Sequence, residues 1–439
     1  MKKNFEELYT QLNPAQKQAV DTIDGPVFVM AGPGTGKTQI LTLRIANILK
    51  QTDVDPENIL ALTFTNAASF NMRERLVTIV GAEAAHRVYI STFHSFAEDM
   101  LKQHQDLFSE VYGTRLLSPI EQIELLEKIV DQQKTEYFSV FKRREGTLRA
   151  ISFAIGKIKS EGMTPDEFRV HTNAQYDIDV EKPDMFYKRK YGEFNAGDIK
   201  PKELRKLQQR RDKNLELADI YEKYEQALRE MGIYDFNDVI VRMIHELNNK
   251  DSVFLAELQE QFQYILVDEH QDTNDSQNAI VLALINNPVW EGRPNIFVVG
   301  DSKQAIFRFA GASEESYARL LNNLKDPVVI NLESNYRSHQ GVLDSAYSLI
   351  IKSDIHQDES PLQAFFDHQG VLEYRRFNDA KMEVLWLAQD IKTRLDNGED
   401  INEIAILYRN NVDANEVRKI FDVMGIAYKD FSKKNILKD

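Results

Sequence analysis

A parallel α/β sheet interrupted by a long helical insertion is the fold class that the sequence predicts. Three observations carry it. Short apolar runs alternate with helix-patterned segments, a glycine-rich turn follows the first run directly, and a stretch from about Phe96 to Met231 offers few strand candidates before the apolar runs resume.

Gly25-Pro26 precedes the β-type run Val27–Met30, which leads through the glycine-rich turn into a helical pattern from Ile40 to Leu49. Further strands are expected at Ile59–Phe64 and Val88–Ile90, each followed by a helix-like segment. Long amphipathic helices then dominate, such as Pro119–Gln132 and Pro201–Glu230. Strands return at Tyr264–Val267 and Ile296–Val299, as if the first sheet were being completed. A last α/β segment has expected strands at Val328–Leu332, Val371–Arg376 and Ile404–Tyr408. The expected domains are therefore a sheet domain over residues 1–95 and 232–325, a helical insertion over 96–231, and a further α/β domain over 326–439.

A chain of 439 residues with 42% hydrophobic content suits two to four compact domains rather than an extended protein. The opening MKKNFEELYT has no apolar run behind it, so no membrane partner is expected and the expected location is the cytoplasm. Cysteine is absent, which excludes disulfides, thiolate metal sites and iron–sulfur clusters and leaves a hard, oxygen-ligated ion as the expected metal. A formal net charge of -15 opposes a phosphate-rich partner unless cations gather locally. They do between Phe141 and Asn214, where Lys188, Arg189, Lys190, Arg205, Lys206, Arg210 and Arg211 are examples. A solvated helix face and a nucleic-acid contact are both compatible with such a run.

The chemistry begins after the first strand. Ala31-Gly32-Pro33-Gly34-Thr35-Gly36-Lys37-Thr38 has the spacing of a P-loop. Its glycines let consecutive N–H groups curl around phosphates, Lys37 reaches the β and γ oxygens, and the Thr38 hydroxyl ligates Mg²⁺. Such a loop needs a second acid for the metal and a base for the water at the end of another buried strand. Tyr264-Ile265-Leu266-Val267-Asp268-Glu269 supplies Asp268 as the metal carboxylate and Glu269 as the base.

Six motifs in order between Leu12 and Ser338 resemble the UvrD/Rep group of superfamily 1 helicases, and the resemblance runs on almost to the end of the chain. Leu12-Asn13-Pro14-Ala15-Gln16 is similar to the Q motif, Leu62–Ala68 and Ser91–Phe96 to two single-strand-contacting motifs, and Leu266–Asn274 to an extended Walker B. Val299–Ala312 resembles motif III and Leu332–Ser338 motif IV. The resemblance implies a RecA-like ATPase domain with a partial second RecA-like domain, ATP and Mg²⁺ as cofactors, and single-stranded and duplex DNA as partners; it names no protein partner. It implies 3′ to 5′ translocation driven by closure of two lobes on ATP.

The same resemblance implies that Gln16 pairs with the adenine edge, that Gln304 senses the γ-phosphate, that Arg337 acts as an arginine finger and that Tyr336 stacks on adenine. Phe64, His94, Phe307 and Phe309 offer flat faces for bases, and Asn66 and Thr92 lie in the strand-contacting motifs. Aromatics near strand ends are also ordinary core residues. Departures from the family pattern are Gln39 where Arg is common, Ala67 where Lys is common, and Ala310 in place of an Arg. Motifs V and VI are not found before Asp439, so a fragment of a longer motor is expected. Two other readings fit, a RecB/AddA-like helicase-nuclease lobe and an ATP-responsive DNA-binding module that does not unwind.

Overall fold

The computed structural model describes residues 5–104, 115–133, 135–138, 144–249, 252–304, 320–352, 361–367, 370–410 and 412–430. They divide into two compact units, Met1–Gln369 and Gly370–Asp439.

The strands of the first unit are β1 (Val27–Ala31), β2 (Ile59–Thr63), β3 (Tyr89–Thr92), β4 (Arg115–Leu116), β5 (Ile233–Tyr234), β6 (Tyr264–Val267), β7 (Ile296–Gly300), β8 (Val328–Leu332), β9 (Ser334–Asn335) and β10 (Gln363–Ala364). Six of them form one sheet in the order β3-β2-β6-β7-β1-β8, parallel at every pairing. The expected parallel α/β fold is thus observed. Both sheet faces are covered, because side chains alternate between them along each strand. Ile59, Ala61, Leu266, Phe297 and Val299 join the core on one face with the helix Lys37–Gln51. Leu60, Leu62, Val267, Ile296 and Val298 join the core on the other.

Two expected boundaries shift. Residue 96 falls inside the helix Phe93–Gln103, whose Phe93, Phe96, Ala97 and Met100 recur at helical spacing and are buried in the second sheet core. The helix belongs to the sheet, and the helical insertion begins after it. Val328–Leu332, expected in a separate domain, pairs with β1 from Val27↔Val328 to Ala31↔Leu332 and forms the sheet's edge. Pairing is decided by a distant partner, which a local run of apolar residues does not reveal.

The insertion has its own core of Leu126, Ile151, Ile155, Ile220 and Tyr224, among others. The helix Pro119–Gln132 starts where expected, with Pro at its first position and a reciprocal cap in which Ser118 accepts from the Glu121 N–H and Glu121 accepts from the Ser118 N–H. Entry and exit of the insertion are tied by β4 and β5, where the Leu117 N–H donates to the Tyr234 carbonyl at 2.8 Å.

In the second unit the helices Ala380–Asp396 and Asp413–Met424 pack through Ala388, Ile391 and Phe421. The segments Val371–Arg376 and Ile404–Tyr408, expected as strands, have no ladder partner among the described residues and are not strands. No helix among the described residues is long and apolar enough to cross a membrane.

Candidate active site

The loop from Ala31 to Lys37 departs from the end of β1 and enters the helix Lys37–Gln51. Gly34 and Gly36 have φ of 70° and 91°, the left-handed region that glycine enters without strain. Gly34 is also needed for space, since a Cβ there would lie 2.7 Å from Arg337 Cβ. The loop is braced from within by the Thr35 hydroxyl, which donates to the Gly32 carbonyl at 2.8 Å.

Gln16 stands beside this loop and is buried, but both ends of its amide already have main-chain partners. Its Oε1 accepts the Asn13 N–H at 3.0 Å and its Nε2 donates to the Thr35 carbonyl at 2.8 Å. In this structure it caps the helix Pro14–Asp21 and holds the loop. That helix is fixed in turn by the buried Arg44, which donates to the Ala19 carbonyl at 2.8 Å and to the Ile23 carbonyl at 3.1 Å.

Across the sheet, β6 ends in Asp268 and Glu269. Lys37 Nζ lies 2.8 Å from Glu269 Oε2, so the two expected catalytic groups meet over a separation of 232 residues. Glu269 has φ of 48°, an uncommon conformation for a residue with a side chain, and such positions concentrate at functional sites. Burial, reinforced by the charge of Glu269, pushes the Asp268 carboxyl up to about 7, while Lys37 opposes the rise. Asp272 is raised to about 6 by the same two causes, and its Oδ1 is buried without a hydrogen-bond partner.

The path continues through a residue that the sequence had not singled out. Gln271 Nε2 donates to Glu269 Oε2 at 2.6 Å, and its Oε1 accepts the Asp301 N–H at 2.8 Å. Asp301 Oδ2 then accepts from Gln304 Nε2 at 2.6 Å. Lys37, Glu269, Gln271, Asp301 and Gln304 therefore form one hydrogen-bonded chain between the loop and the end of β7.

A second unforeseen residue is Asn335. It is fully buried, its Nδ2 donates to the Pro33 carbonyl, and its Oδ1 accepts the N–H groups of Arg337 at 2.8 Å and Ser338 at 2.7 Å. The Tyr336 N–H donates to the Gly34 carbonyl at 2.8 Å, and Asn13 Nδ2 donates to the Tyr336 hydroxyl at 3.0 Å. Tyr336 and Arg337 are thus stapled over the glycine-rich loop. Their signal was only the Asn-Tyr-Arg motif, since the staple spans about three hundred residues.

Of the residues expected to contact a strand, Asn66 is exposed as the first residue of the helix Asn66–Val80, and Phe64 is half-buried. Phe70, one helical turn beyond Asn66, is 64% exposed and joins them as a candidate. Thr92 serves its own helix. It is buried and caps the helix Phe93–Gln103, with its Oγ1 accepting the Ser95 N–H at 3.2 Å and donating to Ser95 Oγ at 3.0 Å. His94 stacks on Phe236, with ring centroids 4.0 Å apart and planes 16° apart, and burial lowers its imidazole to about 4. Phe236 itself remains 57% exposed, so this stack presents a flat aromatic face. Phe307 and Phe309 lie outside the described residues.

The turn that carries Phe236 is anchored by a buried ionic cluster. Lys159 Nζ, on the insertion, lies 2.8 Å from Asp235 and 2.5 Å from both Asp238 and Glu225. Several cations of the basic stretch are paired with nearby acids instead of gathering freely, such as Lys206 with Glu203 at 3.0 Å and Arg211 with Asp212 at 2.8 Å. A solvated helix face accounts for those two.

Comparison with known families finds the UvrD/REP helicase N-terminal domain over residues 12–325 and the UvrD-like helicase C-terminal domain over residues 330–438. The ATP-dependent DNA helicase PcrA of Bacillus subtilis (strain 168) is 30% identical over 423 residues, which cover 96% of this chain and 50% of that protein. PcrA of Staphylococcus epidermidis (strain ATCC 12228) is 29% identical over 421 residues, covering 96% and 51%. PcrA of Staphylococcus aureus (strain NCTC 8325) is 28% identical over the same span. The chain covers about half the length of these relatives. With its glycine-rich loop, its Asp-Glu strand end and a family match over residues 12–325, the chain belongs to the UvrD/REP helicase family.

Proposed function

We propose that this chain is the ATP-hydrolysing portion of a DNA helicase that translocates 3′ to 5′ along single-stranded DNA and displaces the complementary strand of a duplex. The observation that carries the proposal is the hydrogen-bonded path from Lys37 through Glu269, Gln271 and Asp301 to Gln304. It joins the phosphate-binding loop to the end of β7, so a change at the phosphates has a route to the rest of the sheet. The three relatives named above are ATP-dependent DNA helicases, which supports ATP as the nucleotide and DNA as the track.

In this reading Lys37 leaves Glu269 for the β and γ phosphates, and Glu269 is then free to orient and deprotonate the attacking water. The released carboxylate still accepts from Gln271, which holds it in place. Gln304 senses the γ-phosphate, and Arg337, fixed above the loop by Asn335, supplies charge to the transferring phosphoryl group. Thr38 and Asp268 would hold Mg²⁺, which neutralises charge on the phosphate oxygens when bound. The burial of Asp268 and the unpartnered Oδ1 of Asp272 fit a cation there. Asn66, Phe64, Phe70 and the His94–Phe236 stack would contact bases and backbone, each stacked base contributing about 1 to 3 kcal/mol. A cytoplasmic location belongs to the same reading.

The test is displacement of a labelled strand from duplexes with a 3′ or a 5′ single-stranded tail, run with ATP, with the Glu269→Gln variant and with an RNA track. ATP-dependent displacement from the 3′-tailed DNA alone is expected. Displacement that is equal without ATP, or confined to the RNA track, would overturn the proposal.

A further inference from the structure

We propose that Lys159 is a positioning residue for strand binding, holding Phe236 where a base can meet it and joining that contact to the segment after Glu269. The inference rests on the reading of the glycine-rich loop as a nucleotide site and of the His94–Phe236 stack as a strand contact.

Lys159 lies in the last turn of the helix Arg144–Ser160 of the insertion and is fully buried. Burial opposes a charge there, but Asp238, Asp235 and Glu225 outweigh it, so the side chain is held as an ammonium. Two of these acids, Asp235 and Asp238, flank Phe236 in one short turn and close it reciprocally. The Asp235 N–H donates to Asp238 Oδ2 at 2.7 Å, while Asp235 Oδ1 accepts the N–H groups of Asn237 at 2.9 Å and Asp238 at 3.1 Å.

Closing the turn brings two buried carboxylates together, and like charges so placed repel strongly where water is excluded. Lys159 Nζ stands between them, 2.8 Å from Asp235 Oδ2 and 2.5 Å from Asp238 Oδ1. The Tyr224 hydroxyl adds a neutral donor to Asp235 Oδ2 at 3.1 Å. Without the cation the two acids drive the turn open, and Phe236 between them leaves His94. The helix backbone also abuts this turn, since a Cβ on Gly156 would lie 3.1 Å from Asn237 Nδ2.

The main chain at the same point meets the nucleotide side. Ser276 Oγ donates to the Ser160 carbonyl at 2.7 Å and reaches the Lys159 carbonyl at 3.5 Å. Ser276 lies in the first turn of the helix Asp275–Ile285, which follows the Asp268-Glu269 strand end. The intervening chain is braced, with Thr273 Oγ1 donating to the His270 carbonyl at 2.6 Å and Asn278 Oδ1 2.8 Å from His270 Nε2. A displacement of Glu269 therefore has a packed route to Lys159, and through its side chain to Phe236.

Binding of a labelled oligothymidine to the full chain tests this, measured with and without a non-hydrolysable ATP analogue. The variants are Phe236→Ala, Lys159→Met, the two combined, and Ser276→Ala. In the unaltered chain the analogue is expected to change oligothymidine affinity by about fivefold or more. Phe236→Ala and Lys159→Met are each expected to weaken oligothymidine binding by about fivefold or more, and the combination no further, because one residue acts through the other. Analogue binding without DNA is expected to stay unchanged in every variant, and Ser276→Ala to keep both separate affinities while losing their mutual effect. Additive losses in the combination would overturn the proposal, by making Lys159 a structural residue independent of Phe236. An intact mutual effect in Ser276→Ala would overturn it too, and that variant decides the matter if Lys159→Met loses analogue binding by failing to fold. An unaltered chain that binds both ligands with no mutual effect would likewise overturn it. An unaltered chain that binds neither ligand would remove the underlying reading of the two sites.

Discussion

Gln271 bridges Glu269 and Asp301, donating to the carboxylate of one at 2.6 Å and accepting the N–H of the other at 2.8 Å. The residue proposed to activate water is therefore positioned by a side chain that also bonds to the end of β7. Replacing Gln271 by Leu removes both bonds at nearly constant volume. The expected outcome is a fall in hydrolysis of about tenfold or more with nucleotide affinity changed little, measured as kcat against Kd. Equal loss in both would mean that Gln271 only supports the loop.

Glu269→Gln keeps the acceptor oxygen but removes the proposed base. Nucleotide binding is expected to persist, and even to strengthen because Lys37 loses its ion-pair partner, while turnover falls by about a hundredfold or more. Retained turnover would assign the base to another group.

Asn335→Ala strands the Pro33 carbonyl and the N–H groups of Arg337 and Ser338. Leaving buried polar groups unpaired costs about 1 to 3 kcal/mol each when no water replaces the partner. A lower urea midpoint and weaker nucleotide binding are expected together, since the staple and the loop share atoms. Unchanged stability would show that the turn holds itself.

His94 gives a pH dependence. Burial lowers its imidazole to about 4 in the folded protein, against 6.5 for the unperturbed group. Between those values the unfolded chain binds more protons, so the stabilisation is full above about 6.5 and is lost as pH falls towards 4. His94→Phe retains a ring to stack on Phe236 and removes the titration. The urea midpoint of the unaltered chain is expected to fall more steeply than that of His94→Phe between pH 6.5 and pH 5, and parallel curves would contradict the assignment.

Lys159→Met would leave Asp235, Asp238 and Glu225 facing one another without their shared cation. Breaking a buried ion cluster from one side costs about 3 to 5 kcal/mol. Thermal unfolding should show that loss, and Lys159→Met combined with Asp238→Asn should recover part of it. No recovery would place the effect in packing against Tyr224 instead of charge.

Much of the site was legible because its chemistry is tied to local signals. Lys37 follows a glycine-rich turn after an apolar run, and Asp268-Glu269 follows four apolar residues, so strand and loop could be read together. The rest depends on pairs far apart in sequence. Nothing around Asn335 says that it will meet Pro33, nothing around Phe236 that it will cover His94, and nothing in Val328–Leu332 that it will pair with β1. Thr92 and Gln16 carry structural roles that their motifs do not reveal, for a related reason. Both stand in motifs, but their polar atoms are used by the helix and loop beside them.

The most direct test of the site is equilibrium binding of Mg²⁺-ATP to the unaltered chain and to Lys37→Ala. The expected result is saturable binding by the first and its loss in the second. Equal binding by the two would contradict the assignment of Gly32 to Thr38 as the phosphate cradle.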